Sequence, residues 1–317
     1  MTYDNGAAPS ARTAAAPADG RTVNPASGQA SGRAADRSGG PTADPAAKPA
    51  FGRAADPAGD PEVDPSGGPA PDAAGPRADR PGDMVADRPG DVVADHPAEA
   101  TDPHCLSAEE ADALLRCAPW RRFAVVGDSL AEGLGDPTPG YRTESWADRT
   151  ARALRRAAPD ATYLNLGLRG LTAGQVRAGQ AERAARFAPD LVAIVCGGND
   201  LLLPGFSPDV LAKELDLLFG RLAVPGATVF TYALANVAAA VPELRGGPLE
   251  GGVAVLNEVT RTVAKRHGAV VVEMYDHPAG ADRDLYSADL IHASARGHAV
   301  IAAATVRALA AEFSTGR

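Results

Sequence analysis

RFAVVGDSL, residues 122–130, is an apolar run that ends abruptly in a turn. Phe123, Ala124, Val125 and Val126 follow one another without polar alternation. Gly127-Asp128-Ser129 then supplies residue types that break a strand and cap a helix. A strand that is apolar on both sides must be covered on both sides, which is the situation of strands in parallel sheets.

The same unit recurs outward from this stretch. Downstream, residues 161–166 (ATYLNL), 190–195 (DLVAIV), 227–232 (ATVFTY) and 269–273 read as further short strands. Helices are expected between them, at about 144–157, 172–187, from Ser207-Pro208 onward, at 252–267 and at 294–313. Ser207-Pro208 is a cap followed by a proline suited to the first turn, and Leu211, Leu215, Leu218 and Leu222 then share one helical face. Leu256, Val259 and Val263 mark one side of the next helix, and Ile301, Ala302, Leu309 and Phe313 that of the last. Upstream, Ser107-Ala-Glu-Glu110 has capping-box spacing and opens a short helix to about Cys117. Strands alternating with helices predict an α/β fold, a five-stranded parallel sheet with helices on both faces.

Ligands of such sheets sit beyond the carboxyl ends of the strands, so the loops there carry the chemistry. Ser129 follows the first strand. Gly167-Leu-Arg-Gly170-Leu-Thr172 follows the second and Gly197-Gly198-Asn199-Asp200 the third, while Asp289-Leu-Ile-His292 precedes the final helix. Singly these are a helix cap, two turns and a chance pair; jointly they assemble a nucleophile. A serine hydroxyl attacks a carbonyl only when a neutral imidazole accepts its proton and an acceptor holds the other ring nitrogen. His292 supplies that base, Asp289 the acceptor and Ser129 the nucleophile. The oxyanion that forms needs donors, and the candidates are the backbone N–H groups of Ser129 and Gly170 and the Asn199 side chain.

These residues resemble the GDSL or SGNH hydrolase family. Four blocks agree in order: Gly127-Asp128-Ser129-Leu130, Gly170 (with Gly167 in the same loop), Gly197-Gly198-Asn199-Asp200 and Asp289-Leu-Ile-His292. The resemblance spans about residues 120–313. It implies a three-layer α/β/α flavodoxin-like sandwich with strand order 2-1-3-4-5, hydrolysis of small-molecule carboxylic esters through an acyl-serine, and no metal or organic cofactor. The G-x-S-x-G elbow of α/β-hydrolases is missing. Two other functions remain open: an acyltransferase or thioesterase using the same acyl-serine, and a non-catalytic binding module on this fold.

Other polar residues receive plainer readings. Asp128 and Asp200 are expected to fix turns as hydrogen-bond acceptors rather than to bind a metal. His298 reads as a packing or capping residue, and His267 and His277 as surface positions. Segments 133–143 and 233–250 should wall the cleft, where Arg142 and Arg169 are candidates to orient an anionic substrate.

Residues 1–104 are different in kind. They hold 16 of the 27 prolines and 13 of the 34 glycines, and no Leu, Ile or Trp precedes Leu106. Such a segment cannot bury enough apolar surface to offset its ordering entropy, so 1–104 is expected to be a disordered tail ahead of a domain at 105–317, dispensable to the chemistry. An eight-residue unit recurs in it as ADRPGDMV (78–85), ADRPGDVV (86–93) and ADHPAEA (94–100), which fits duplication in a biased coding stretch and identifies no tail partner. The tail carries 9 Lys/Arg against 16 Asp/Glu, leaving 22 against 24 for the rest, so the net charge of −9 belongs mostly to the tail. A nearly neutral domain has no electrostatic footprint for nucleic acid. Three cysteines argue against a disulfide framework. The first residues contain no apolar signal core, no run is long enough to span a membrane, and a cytoplasmic setting is expected. A start at Met84 or later would shorten the chain without loss to the domain.

Overall fold

The computed structural model describes residues 96–315. Its strands are β1 (Arg122–Gly127), β2 (Thr162–Asn165), β3 (Leu191–Val195), β4 (Thr228–Ala233) and β5 (Val270–Glu273). Its α-helices are α1 (Pro97–Thr101), α2 (Ala108–Leu115), α3 (Ser129–Glu132), α4 (Trp146–Ala157), α5 (Ala173–Phe187), α6 (Pro208–Leu222), α7 (Val237–Ala240), α8 (Pro248–Arg266) and α9 (Ala295–Thr315). The strands form one sheet in the order β2-β1-β3-β4-β5, with every neighbouring pair parallel. This is the strand order the resemblance implies.

The sheet is covered as its apolar strands require. Leu191, Ala193 and Val195 of the fully buried β3 share one core with Trp146, Leu154, Val300 and Leu309, from α4 and α9. The intervening Val192 and Ile194 share a second core with Val176, Leu215, Phe219 and Val263, from α5, α6 and α8. The period-two alternation of side chains along β3 thus separates two helical layers.

Helix starts follow caps. Ser107, Ser145, Thr172 and Ser207 each accept a backbone N–H of the following turn, at α2, α4, α5 and α6. The helix expected at 252 begins earlier, at Pro248, whose fixed φ and missing N–H suit the first helical position, so Gly251 and Gly252 lie inside it. The helices α3 and α7 and the 3₁₀ turns Asn199–Leu202 and Arg283–Leu285 are too short for periodicity to announce them.

The boundary expected at residue 104 is corrected. Residues 96–104 belong to the folded unit: α1 lies there, and the Glu99 carboxylate accepts from the Arg149 guanidinium at 2.6 and 3.0 Å. Composition missed this because the segment is tied down by charge rather than by apolar side chains. The remainder of the expected tail, residues 1–95 with its repeats up to that point, lies outside the described residues. Among the described residues no helix is long and apolar enough to cross a membrane.

The Glu99–Arg149 pair is a test of this correction, since only 6% of the Arg149 side chain and 18% of the Glu99 side chain are exposed. Glu99→Ala would leave a guanidinium without its partner and should cost about 2–3 kcal/mol in urea unfolding, less than a fully buried pair because Glu99 is partly solvated. Burial alone would raise the Glu99 carboxyl, but Arg149 and the Arg142 N–H outweigh it and hold the group below its ordinary 4.5. A depressed folded-state value contributes stability above 4.5 that is lost as the pH falls through the lower value. The gap between wild type and Glu99→Ala should therefore hold at neutral pH and shrink in acid.

Candidate active site

The turn after β1 is shaped by close approach. Gly127 has φ +152°, and a Cβ there would sit 1.9 Å from the Val195 carbonyl oxygen, so no side chain fits. The Asp128 N–H donates to that same carbonyl at 3.1 Å, and the Asp128 carboxylate caps α3 by accepting the Leu130 N–H at 3.1 Å. Ser129 is thereby presented as the first residue of α3. Behind the turn, the buried Gln180 amide of α5 accepts the Gly127 N–H at 2.7 Å and donates to the Gly127 carbonyl at 2.8 Å.

The other half of the site is a small hairpin, residues 285–294, closed by an antiparallel bridge between Tyr286 and Ala293. The Ser287 N–H donates to the His292 carbonyl at 2.8 Å and the Ser294 N–H to the Leu285 carbonyl at 3.0 Å. Leu290 at its tip has φ +61°, a left-handed conformation that costs a non-glycine residue roughly 1–2 kcal/mol. Within that tip, the Asp289 Oδ1 accepts the N–H groups of Ile291 (2.9 Å) and His292 (3.0 Å). The hairpin is seated on the loop after α3. There the Asp136 N–H donates to Ser287 Oγ, its carboxylate accepts the Ala288 N–H and its carbonyl accepts the Ala295 N–H, each at 2.8 Å.

The two halves meet at His292. Its Nδ1–H donates to Asp289 Oδ2 at 2.6 Å, which leaves the Nε2 lone pair for the Ser129 hydroxyl, 2.8 Å away. Burial would raise the Asp289 carboxyl, but the bonds it accepts from His292 and Ile291 hold it below the usual carboxylate range. A hydroxyl on a neutral imidazole whose other nitrogen is held by an ionised carboxylate can lose its proton to that imidazole.

Asn199 and Gly170 line the same cavity as Ser129. The Asn199 amide donates to the Leu171 carbonyl at 3.0 Å and makes a long contact, 3.5 Å, to Asp128 Oδ2. Gly170 has φ +79° and open space where a Cβ would be, whereas a Cβ on Gly167 would lie 2.3 Å from the Glu132 nitrogen. Gly167 is thus a packing position against α3, and Gly170 is the glycine that borders the site. Asp128 and Asp200 are turn-fixing acceptors, as expected. Burial pushes Asp128 up to about 6 and also raises Asp200, whose Oδ2 accepts the Ala173 N–H at the start of α5.

The cavity has a volume of about 380 Å³ and apolar walls that include Trp146, Tyr232, Leu234, Val237 and Met274. His298 also borders it. Burial lowers that imidazole to about 4, and as a neutral ring it accepts the Trp146 N–H at 3.3 Å and donates to the Leu134 carbonyl at 3.2 Å. Segment 233–250 does wall the cavity, but of loop 133–143 only Leu134 reaches it. Arg142 is a correction, because it borders a separate cavity beside Glu99 and Arg149. Arg169 is at the rim, with 62% of its side chain exposed and its charge engaged by Glu132 at 2.6 Å. His267 and His277 are half-buried rather than surface residues; His267 Nε2 lies 3.0 Å from Asp216, and His277 Nδ1 accepts the Ala279 N–H at 3.2 Å. Among the described residues, no group of three or more His, Cys, Asp and Glu is placed to hold a metal ion.

Gln180 and Asp136 are the supports that the sequence did not announce. Gln180 carried a faint signal, a polar residue on the helical face of Ala173, Val176 and Ala184. Asp136 carried none, since its partners, the Ser287 hydroxyl and the Ala288 N–H, are 151 or more residues away.

Residues 125–300 match the GDSL-like lipase/acylhydrolase family. An arylesterase of Vibrio mimicus is 32% identical over 108 residues, which cover 34% of this chain and 52% of that protein. The chain therefore matches about half the length of that relative. Among solved structures, LAE5, an alpha/beta hydrolase enzyme from the metagenome of Lake Arreo, Spain, is similar with a TM-score of 0.50 and 22% identity, over 60% of this chain and 94% of that one. The lipase/acylhydrolase from Enterococcus faecalis is similar with a TM-score of 0.48 and 20% identity, over 61% and 96%. At these identities the first likeness bears on the fold alone.

Gln180→Leu keeps a similar side-chain volume but strips the Gly127 N–H of its partner, while the Gly127 carbonyl keeps the Leu168 N–H at 3.2 Å. Each buried backbone group left unpaired costs about 1–3 kcal/mol. A domain of this size loses roughly 2–4 °C of Tm per kcal/mol, so calorimetry should show a fall of several degrees.

Proposed function

The chain belongs to the GDSL-like lipase/acylhydrolase family, and on that premise we propose that it hydrolyses carboxylic esters through an acyl-serine at Ser129. The observation that carries this reading is the continuous hydrogen-bond path from Ser129 through His292 to Asp289, at 2.8 and 2.6 Å, at an apolar cavity.

The Ser129 oxygen attacks the ester carbonyl as His292 Nε2 takes the hydroxyl proton. Asp289 keeps the proton on Nδ1 and stabilises the imidazolium without becoming protonated. Charge develops on the former carbonyl oxygen, facing the backbone N–H groups of Ser129 and Gly170 and the Asn199 amide. The Leu171 bond orients that amide, and its long Asp128 contact is the one an oxyanion would replace. Collapse breaks the ester C–O bond, and His292 returns its proton to the leaving alcohol. Water then repeats the sequence on the acyl-serine and releases the acid.

The cavity walls favour an apolar acyl group. Its polar wall atoms are satisfied by the protein, as with the Tyr232 hydroxyl on Thr305 and the neutral His298. Arg169 stands at the cavity rim with its charge engaged by Glu132, so the reading leans on the apolar walls rather than on an anionic substrate. Cys105, Cys117 and Cys196 are unpaired, which supports a reducing, cytoplasmic setting.

Ser129→Ala should abolish both hydrolysis of p-nitrophenyl esters and labelling by a fluorophosphonate; a variant at full rate refutes the mechanism. Asp289→Asn should lose about 10⁴ in turnover through the wrong tautomer, and Asn199→Ala about 10²–10³ through loss of one oxyanion donor. Along an acyl series with one leaving group, kcat/KM should rise about fourfold per added methylene, the equivalent of about 0.8 kcal/mol, until the cavity is full. A monotonic fall from acetyl onward contradicts the apolar acyl assignment.

A further inference from the structure

The hairpin that carries Asp289 and His292 has two feet, and one side chain holds both. Arg296 stands at the C-terminal foot, in the first turn of α9. Its Nη1 donates across to Asp282 at 2.9 Å and Asp284 at 2.7 Å, at the N-terminal foot. Its Nε donates to Asp102 Oδ2 at 2.8 Å, in the segment between α1 and α2. The feet have no slack, because a Cβ on Gly297 would sit 2.2 Å from the Leu285 carbonyl oxygen.

The three carboxylates are not equivalent. Asp282 and Asp284 are exposed, and water screens such pairs to little net effect. Asp102 is different, with 3% of its side chain exposed against 10% for Arg296. It is also fixed independently of the arginine, since Oδ2 accepts the Tyr141 hydroxyl at 2.8 Å and Oδ1 the His104 N–H at 2.9 Å. A buried guanidinium that loses its buried partner must reorient toward solvent or remain uncompensated. Either response moves the feet of the hairpin.

We infer that Asp102 is a positioning residue: acting through Arg296, it fixes the base of hairpin 285–294 and with it the contact between His292 and Ser129. Its effect on rate rests on the hydrolase reading; the geometry does not. Asp102 lies outside the matched residues 125–300, so a segment beyond the family match sets the active-site distance. Misplacement of a reacting group by about 1 Å costs up to about 10²-fold in rate.

The test uses full-length chains carrying Asp102→Asn, Arg296→Lys, the double substitution and Glu99→Gln. The last breaks a different ion pair of the same segment and controls for stability. Fluorophosphonate labelling of Ser129 and kcat should fall about 10–100-fold in Asp102→Asn, with KM within about twofold. Arg296→Lys should behave alike, because an ammonium cannot fork to three carboxylates. The double variant should be no worse than the poorer single, as expected for one pathway. Glu99→Gln should lose stability and keep kcat at temperatures where it is folded. In proton NMR, the His292 Nδ1 proton should shift in Asp102→Asn and stay in Glu99→Gln. Wild-type kcat in folded Asp102→Asn overturns the inference, as do kcat losses that track Tm across both variants. If the wild type neither hydrolyses esters nor is labelled, the hydrolase reading falls and the NMR signal decides alone: a shift upholds the clamp, and none overturns it.

Discussion

The hydrogen bond from Ser129 to His292 joins residues 163 apart in the chain, and only the parallel sheet brings them together. Parallel strands end on a common edge, so the turn after β1, the glycine loop after β2 and the Asn199 turn after β3 open on one side. The Asp289–His292 hairpin then folds over that edge just before α9. Each part supplies a short loop whose backbone is over-determined: by Val195 and Gln180 at Gly127, and by Asp136 at the hairpin. A rigid sheet holds these loops to within the fraction of an ångström that the proposed proton transfer demands.

What could be read in the sequence follows from how local each signal is. The strands were legible because burial on both faces leaves no polar alternation, as in Leu191–Val195. The residues proposed as nucleophile, base and acceptor stood out because they are chemically constrained types, Ser129 directly after a strand and Asp289 and His292 just before the last helix. Illegible were the interactions whose sequence signature is a single polar residue with a distant partner. Asp136 meets Ser287 and Ala288, Gln180 meets Gly127, and Arg296 meets Asp102, and no periodicity encodes such pairs.

The same reasoning explains the misplaced boundary at 104. Composition measures how much apolar surface a segment can bury, and residues 96–104 have almost none to offer. Their attachment is electrostatic instead, through Glu99 on Arg149 and Asp102 on Arg296. Charge pairing of this kind is weak when solvated and strong in effect when broken in a buried setting. A segment can therefore look like a tail in its composition and still be fastened to the fold.

The site is also where the fold gives up stability. Leu290 occupies a left-handed conformation, and Asp128 is buried so deeply that its carboxyl rises from 3.8 to about 6. A raised folded-state value means that folding favours the protonated form, so this group's stabilising share is present in acid and is lost as the pH climbs from 3.8 through about 6. At neutral pH an ionised Asp128 is a cost, yet its carboxylate caps α3 and faces the Asn199 amide, the group assigned to the oxyanion. Glu99 runs the opposite way, with a depressed value that favours folding above the acid range. The two carboxylates divide the labour: the charge that destabilises caps the helix that presents Ser129, and the charge that stabilises sits in the segment that fastens the chain around it.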